Sequence, residues 1–150
     1  MTTAETNEII VTSQFQMDKV PEDYNGFIII NNTTGCVRVK KRYKHHVEVR
    51  GTYASLEGNA EAIVRYSSMV DVKDNAKAIL FENSCADVTG KGTAFLYGTS
   101  YAMCQHESRV FMYQDSKAVA KDKATVYCFG EYSPQLFKHA TSIDMRRVEP

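Results

Sequence analysis

Residues 55–102 read SLEGNAEA, IVRYSSMV, DVKDNAKA, ILFENSCA, DVTGKGTA, FLYGTSYA when set in blocks of eight. The division runs without insertion from Val47 to Pro150. From Leu56 the second position of each octad is Leu, Val, Val, Leu, Val, Leu, Cys, Met, Ala, Cys and Leu136. With 43% hydrophobic residues in the chain, eleven in a row at one phase arises by chance roughly once in ten thousand. The eighth position holds only Ala or Val from Ala54 to Val126, and the sixth holds small residues such as Ala76, Ser84 and Gly92. The fourth and fifth carry turn formers, as in Gly58-Asn59 and Asp74-Asn75. Positions eight and two lie two residues apart, so in a strand they face the same side. Each octad therefore reads as one short strand and one tight corner.

A hairpin meander does not require the same residue type at the same phase in every strand, whereas a coil of stacked parallel strands does. An eight-residue period fits neither a helix of 3.6 residues per turn nor a heptad. Alternate octads open apolar, as in Ile79-Leu80-Phe81 and Phe95-Leu96-Tyr97. Those between open polar, as in Asp71-Val72-Lys73 and Asp87-Val88-Thr89. The expected fold is thus all-β, a parallel β-solenoid with two strands and about 16 residues per turn. Residues 1–46 lack the period. Glu8–Thr12 reads as a strand, and Phe27–Ile30 and Cys36–Lys40 read as two strands joined by Asn31-Asn32-Thr33-Thr34-Gly35. Solenoid ends need cover, so residues 1–46 are expected to form an N-terminal β-hairpin cap on a solenoid of residues 47–150. In this register Ala78 and Ala94 face the core, and Lys77 and Thr93 face outward.

The chain has 150 residues, enough for one domain, and 18 basic residues balance 18 acidic ones. Zero net charge argues against binding to nucleic acid or membrane by bulk charge. The opening residues carry no basic, apolar leader, and no apolar run approaches the roughly 20 residues of a membrane span. Cys36, Cys85, Cys104 and Cys128 form no Cys-x-x-Cys pair and match no zinc spacing, which fits free thiols in a reducing cytoplasm. The expected location is a host bacterial cytoplasm.

No phosphate-binding loop, nucleophile elbow or zinc-protease motif is present, so no catalysis, cofactor or metal is expected. Cys104 and His106 offer a ligand pair, but Cys104 falls at an inward position, and His106 falls at a corner one turn from Asp122. His45 and His46 are adjacent and would point to opposite sides of a strand. Two features suit binding. Arg38, Lys40, Lys41, Arg42, Lys44 and Arg50 surround Tyr43, a pattern that suits a phosphate backbone with one stacked base. The other is aromatic. Phe81, Tyr97, Tyr113 and Phe129 recur once in every second octad and are expected to stack into one outward column. Phe95, Phe111 and Tyr127 form a second column beside it. A sheet face that is apolar outside as well as inside is normally covered. The expected cover is a second copy in a homodimer, with the chain's own cap or a different protein as alternatives.

Ser55-Leu56-Glu57-Gly58-Asn59-Ala60-Glu61-Ala62 and Asp71-Val72-Lys73-Asp74-Asn75-Ala76-Lys77-Ala78 resemble the Val-x-Ala-x-Gly/Asp-Asn/Ser-Ala octads of phage and prophage-associated β-solenoid proteins. The resemblance extends over about two thirds of the chain. It implies a mobile-element origin and a non-catalytic role. On that basis the expected function is binding through a rigid solenoid surface, in its most concrete form inhibition of a host defence system in the manner of an anti-CRISPR protein. The partner would be a host protein or ribonucleoprotein complex. A structural or virion-associated assembly protein is the alternative, and a nucleic-acid binder using residues 38–50 is a third.

Overall fold

A computed structural model describes residues 7–43 and 47–146. The chain is a parallel β-solenoid of about eight turns. It opens with β1 (Glu8–Val11), α1 (Gln14–Asp18), β2 (Phe27–Asn31), β3 (Val37–Val39), β4 (Val47–Arg50) and β5 (Tyr53–Leu56). The repeats then supply β6 (Glu61–Arg65), β7 (Met69–Val72), β8 (Lys77–Leu80), β9 (Cys85–Val88), β10 (Thr93–Leu96) and β11 (Tyr101–Cys104). The chain closes with β12 (Arg109–Met112), β13 (Lys117–Ala120), β14 (Thr125–Cys128), β15 (Gln135–Leu136) and β16 (Thr141–Asp144). Even-numbered strands, with β1 at the edge, form a nine-stranded sheet, and odd-numbered strands from β3 to β15 form a seven-stranded one.

The register follows the octads. Ala62, Ala78, Ala94, Val110 and Val126 stack in line, as do Val64, Leu80, Leu96, Met112 and Cys128. All are buried, and they meet the inward residues of the other sheet in one core. Burying each Leu or Val stabilises by about 1.5–3 kcal/mol, whereas the Ala layers contribute mainly by letting the sheets approach.

The corners explain the rest of the octad. Residues 58, 66, 74, 82, 90, 98, 106, 114, 122 and 138, each at the fourth position, have φ between 53° and 63°. At most of these corners the turn closes when the N–H of position six donates to the carbonyl of position three, as from Ala76 to Lys73 at 2.9 Å. A left-handed first central residue is what primed turns require. The small residue at position six then re-enters a core with no room for more: a Cβ on Gly92 would lie 2.9 Å from the Val72 carbonyl oxygen. Several corner side chains reach back one turn. The Asp74 and Glu82 carboxylates accept from the N–H groups of Gly58 and Tyr66, each at 2.9 Å.

The segment before Val47 departs from the expected hairpin. β2 pairs in parallel with β1 and β4, while β3 pairs in parallel with β5 in the opposite sheet. Ile28, Ile30, Val37 and Val39 are fully buried, so these strands carry the coil's own inward pattern and extend it. The first turns are longer than two octads: Glu8 lies in register with Phe27, and Ile28 with Val47. Those longer steps hid the period from the octad count. The actual end cover is α1, which buries Met17 and aligns Gln14 with the edge of β3. The Gln14 amide oxygen accepts from the Arg38 N–H at 2.6 Å, and its nitrogen donates to the Arg38 carbonyl at 3.3 Å. One side chain thus takes the place of a neighbouring strand.

Two details of register also differ. β4 meets β6 with Glu48 opposite Ile63, one place short of two octads, so the repeat slips by a residue after Val47. Val47 and Val49 then face the core and Glu48 faces out, which avoids burying a carboxylate. Thr93, expected outside, is 3% exposed, because its short side chain lies in register between the long Lys77 and Arg109. At the far end the inward positions of β16 are Ser142 and Asp144, both exposed, and Arg146 closes on Asp144 at 2.8 Å. That pairing holds the Asp144 carboxyl down at about 2.

Candidate functional site

The nine-stranded sheet presents two adjoining outward columns. One runs through every strand: Ile10, Ile29, Glu48, Ile63 and Ile79, then Phe95, Phe111, Tyr127 and Ile143. Strand spacing near 4.8 Å sets the separation of neighbouring rings. Phe95 to Phe111 is 4.8 Å between centroids and Phe111 to Tyr127 is 4.6 Å, with planes within 13°. The second column stands two residues on, where each strand enters its corner. Phe81, Tyr97, Tyr113 and Phe129 stack at 5.3, 4.7 and 4.7 Å, with planes within 16°. Both expected columns are therefore formed. The Arg65 guanidinium covers the open face of Phe81 at 4.4 Å.

Arg65 also belongs to a charged group that sequence reasoning missed. Glu48 interrupts the apolar column and is held by Arg50 at 2.6 Å and Arg65 at 3.0 Å, and Arg65 also approaches Glu82 at 3.7 Å. Glu48, Arg50 and Arg65 border a groove of about 360 Å³ that continues the columns toward β1. The available signal was the phase of Arg65, which stands two octads before Phe81 and so in the same column.

Stacking decides what the columns can bind. An interior ring has both π faces covered by its neighbours, leaving a half-buried ring with its edge outward. Such rings cannot stack on a sugar or a nucleobase. They offer a flat strip of apolar edges with Tyr hydroxyls, matched to another protein surface. Phe129, at the end of its column, is the most open of the rings at 38%. β1 adds to the sheet edge rather than lying across its face, so Glu8–Val11 does not cover the columns.

The basic segment does not come together. Arg38 projects from the seven-stranded sheet and Arg50 from the nine-stranded one, with Lys40, Lys41 and Arg42 on the connection between them. Arg38 pairs with Glu57 at 3.2 Å, Lys41 with Glu22 at 2.9 Å and Arg42 with Glu61 at 2.6 Å. Tyr43 is 6% exposed inside the core cluster, which leaves no ring face for a base. Lys44, His45 and His46 lie outside the described residues.

The remaining polar candidates have structural partners. Cys104 is buried and its thiol is pushed up to about 12, chiefly by burial. His106 Nδ1 faces the Gly90 N–H at 3.5 Å, and Asp122 pairs with Lys138 at 3.6 Å, so the corner does not bring His106 and Asp122 into contact. On the seven-stranded face Asp71 and Asp87 lie in register, and the Tyr53 hydroxyl donates to Asp71. Desolvation and then Asp71 raise the Asp87 carboxyl above its usual range. No helix among the described residues is long and apolar enough to cross a membrane. No protein-family profile, curated protein or solved structure matches the chain.

Proposed function

We propose that this chain is a non-catalytic binding protein whose nine-stranded face is covered by protein when it works. The observation that carries this reading is the double column of rings, stacked face to face at 4.6–5.3 Å with their edges outward. Aromatic residues on a rigid, flat support are the usual anchors of protein interfaces. The parallel coil adds stiffness, since each strand inside the two sheets is bonded to equivalents on both sides.

The resemblance to phage-associated octad proteins makes an inhibitor of a host defence system, of the anti-CRISPR kind, the most concrete form of this function. The paired basic residues and the buried Tyr43 favour a protein or ribonucleoprotein partner over naked nucleic acid. Affinity capture from bacterial lysate, followed by mass spectrometry, tests the reading. The wild-type chain is expected to retain components of a defence complex, and the Tyr97→Glu/Tyr113→Glu variant to lose them while keeping its circular dichroism spectrum. Equal capture by both would overturn the role of the face. Capture of virion components alone would replace inhibition with assembly.

A further inference from the structure

The aromatic columns lie between two rims of unlike charge. One rim is the residue that opens each strand, Lys77 in β8 and Arg109 in β12, both exposed. The other is the corner that follows the same strand, Glu82 after β8 and Asp115 after β12, also exposed. The turn built on β6 inverts both signs, with Glu61 opening the strand and Arg65 ending it. Lys77, Arg109 and Asp115 have no ion-pair partner among the described residues. Opposite charges of one turn are four to six residues apart along extended chain, roughly 13–20 Å, too far to meet within one copy. In these three turns each charge on one rim therefore has its complement on the other rim at the same height.

We propose that a second copy of this chain covers the nine-stranded face, the two coils lying side by side with their N-terminal ends together. The two-fold axis runs parallel to the coil, along the line of Leu80, Leu96 and Met112. This inference rests on the reading of that face as protein-covered and names its occupant. Such an axis reverses strand direction across the interface and preserves height. Phe95 then faces Tyr97 of the second copy, Phe111 faces Tyr113, and the opening rim meets the corner rim. Arg109 meets Asp115 of the second copy, and Lys77 comes within reach of Glu82. The other face-to-face two-fold, which runs the coils in opposite directions, sets opening rim against opening rim, and centred on β10 it places Lys77 against Arg109 and Glu82 against Asp115. Like charges brought together across an interface oppose binding, so the rims select the parallel arrangement.

The size is adequate. Nine strands at about 4.8 Å, each presenting about five residues at 3.3 Å, make a strip of roughly 40 by 16 Å. That is about 600 Å² per copy before surface roughness, or about 1,200 Å² in total, the lower bound of stable specific interfaces. Sheets pack face to face about 10 Å apart, close enough for ring edges to interdigitate. The arrangement leaves the seven-stranded faces pointing away on both sides, with Met69 and Met103 exposed.

Sedimentation equilibrium on four proteins tests the proposal: wild type, Arg109→Glu, Asp115→Arg, and the double variant in which the two charges exchange places. Circular dichroism accompanies each; both positions are exposed, so folding should be retained. The wild type is expected to be a dimer. Each single variant sets two symmetry-related like-charge pairs against each other and should weaken association about tenfold. The double variant should recover the wild-type constant. A dimer indifferent to the single changes, or weakened by them without recovery in the double, overturns the side-by-side arrangement and leaves the face as an interface. A monomeric wild type overturns the second copy as occupant, and capture by the Tyr97→Glu/Tyr113→Glu variant then judges the face itself.

Discussion

At the scale of single residues, the sixth octad position shows how closely local geometry is set. Ser108 and Ser116 donate their hydroxyls to the carbonyls of Gln105 and Tyr113, each at 2.7 Å, reinforcing the corner. Ser84 and Ser100 occupy equivalent corners, and their buried oxygens have no hydrogen-bond partner. Removing an orphaned buried hydroxyl costs nothing, whereas removing a bonded one loses about 1 kcal/mol. Thermal melts should therefore place Ser84→Ala and Ser100→Ala at or above the wild-type midpoint, and Ser108→Ala and Ser116→Ala below it. The sequence shows that this position must be small. It does not show which hydroxyls are bonded, because that depends on a rotamer chosen against the neighbouring turn.

At the scale of the element, the repeating unit is a strand plus a left-handed corner, and the corner bears the conformational cost. A non-glycine residue in the left-handed region costs roughly 1 kcal/mol or more. Asp74, Glu82 and Gln114 offset it by accepting from an N–H group one turn back. Gly58 has no such cost, and its place is also tight: a Cβ there would lie 2.7 Å from the Lys40 carbonyl oxygen. Gly58→Ala should destabilise by about 2 kcal/mol or more, combining the backbone penalty with the clash. Lys138, at φ 56°, holds only an exposed pair with Asp122. Lys138→Gly should therefore gain about 0.5–1 kcal/mol, since exposed pairs contribute little. Denaturant melts compare the two; a neutral Gly58→Ala would contradict the left-handed corner. This element was legible as turn residues at the fourth and fifth positions. The handedness at Glu82, His106 and Lys138 was not, since those residue types do not announce it.

At the scale of the whole molecule, each turn contacts its neighbours alone, so stability is distributed along one dimension. Central strands are bonded on both sides, whereas β15 has two residues and leaves the inward Leu136 41% exposed. Native-state hydrogen exchange should be slowest in β8, β10 and β12 and should quicken toward β15 and β16. The N-terminal end is held by Gln14 on the edge of β3. Gln14→Ala should raise exchange at Arg38 and its neighbours several-fold while leaving β12 unchanged, and uniform exchange along the coil would refute this one-dimensional account.

The parallel coil, the two-octad turn, the inward columns and both aromatic columns were determined by sequence alone. In a coil each residue packs on its own equivalent, so the fold writes its contacts into the sequence as a period. Where the period lapses, tertiary structure decided. β1, β2 and β4 joined one ladder across steps longer than two octads, and Glu48 slipped one place outward to meet Arg50 and Arg65. The basic run between Arg38 and Arg50 looked like one patch because its residues are adjacent in the chain. The coil divides them between two faces and pairs Arg38, Lys41, Arg42 and Arg50 with carboxylates from other segments or from the same strand. Charge has no preferred neighbour in sequence; it finds one in space, and only the folded coil shows which.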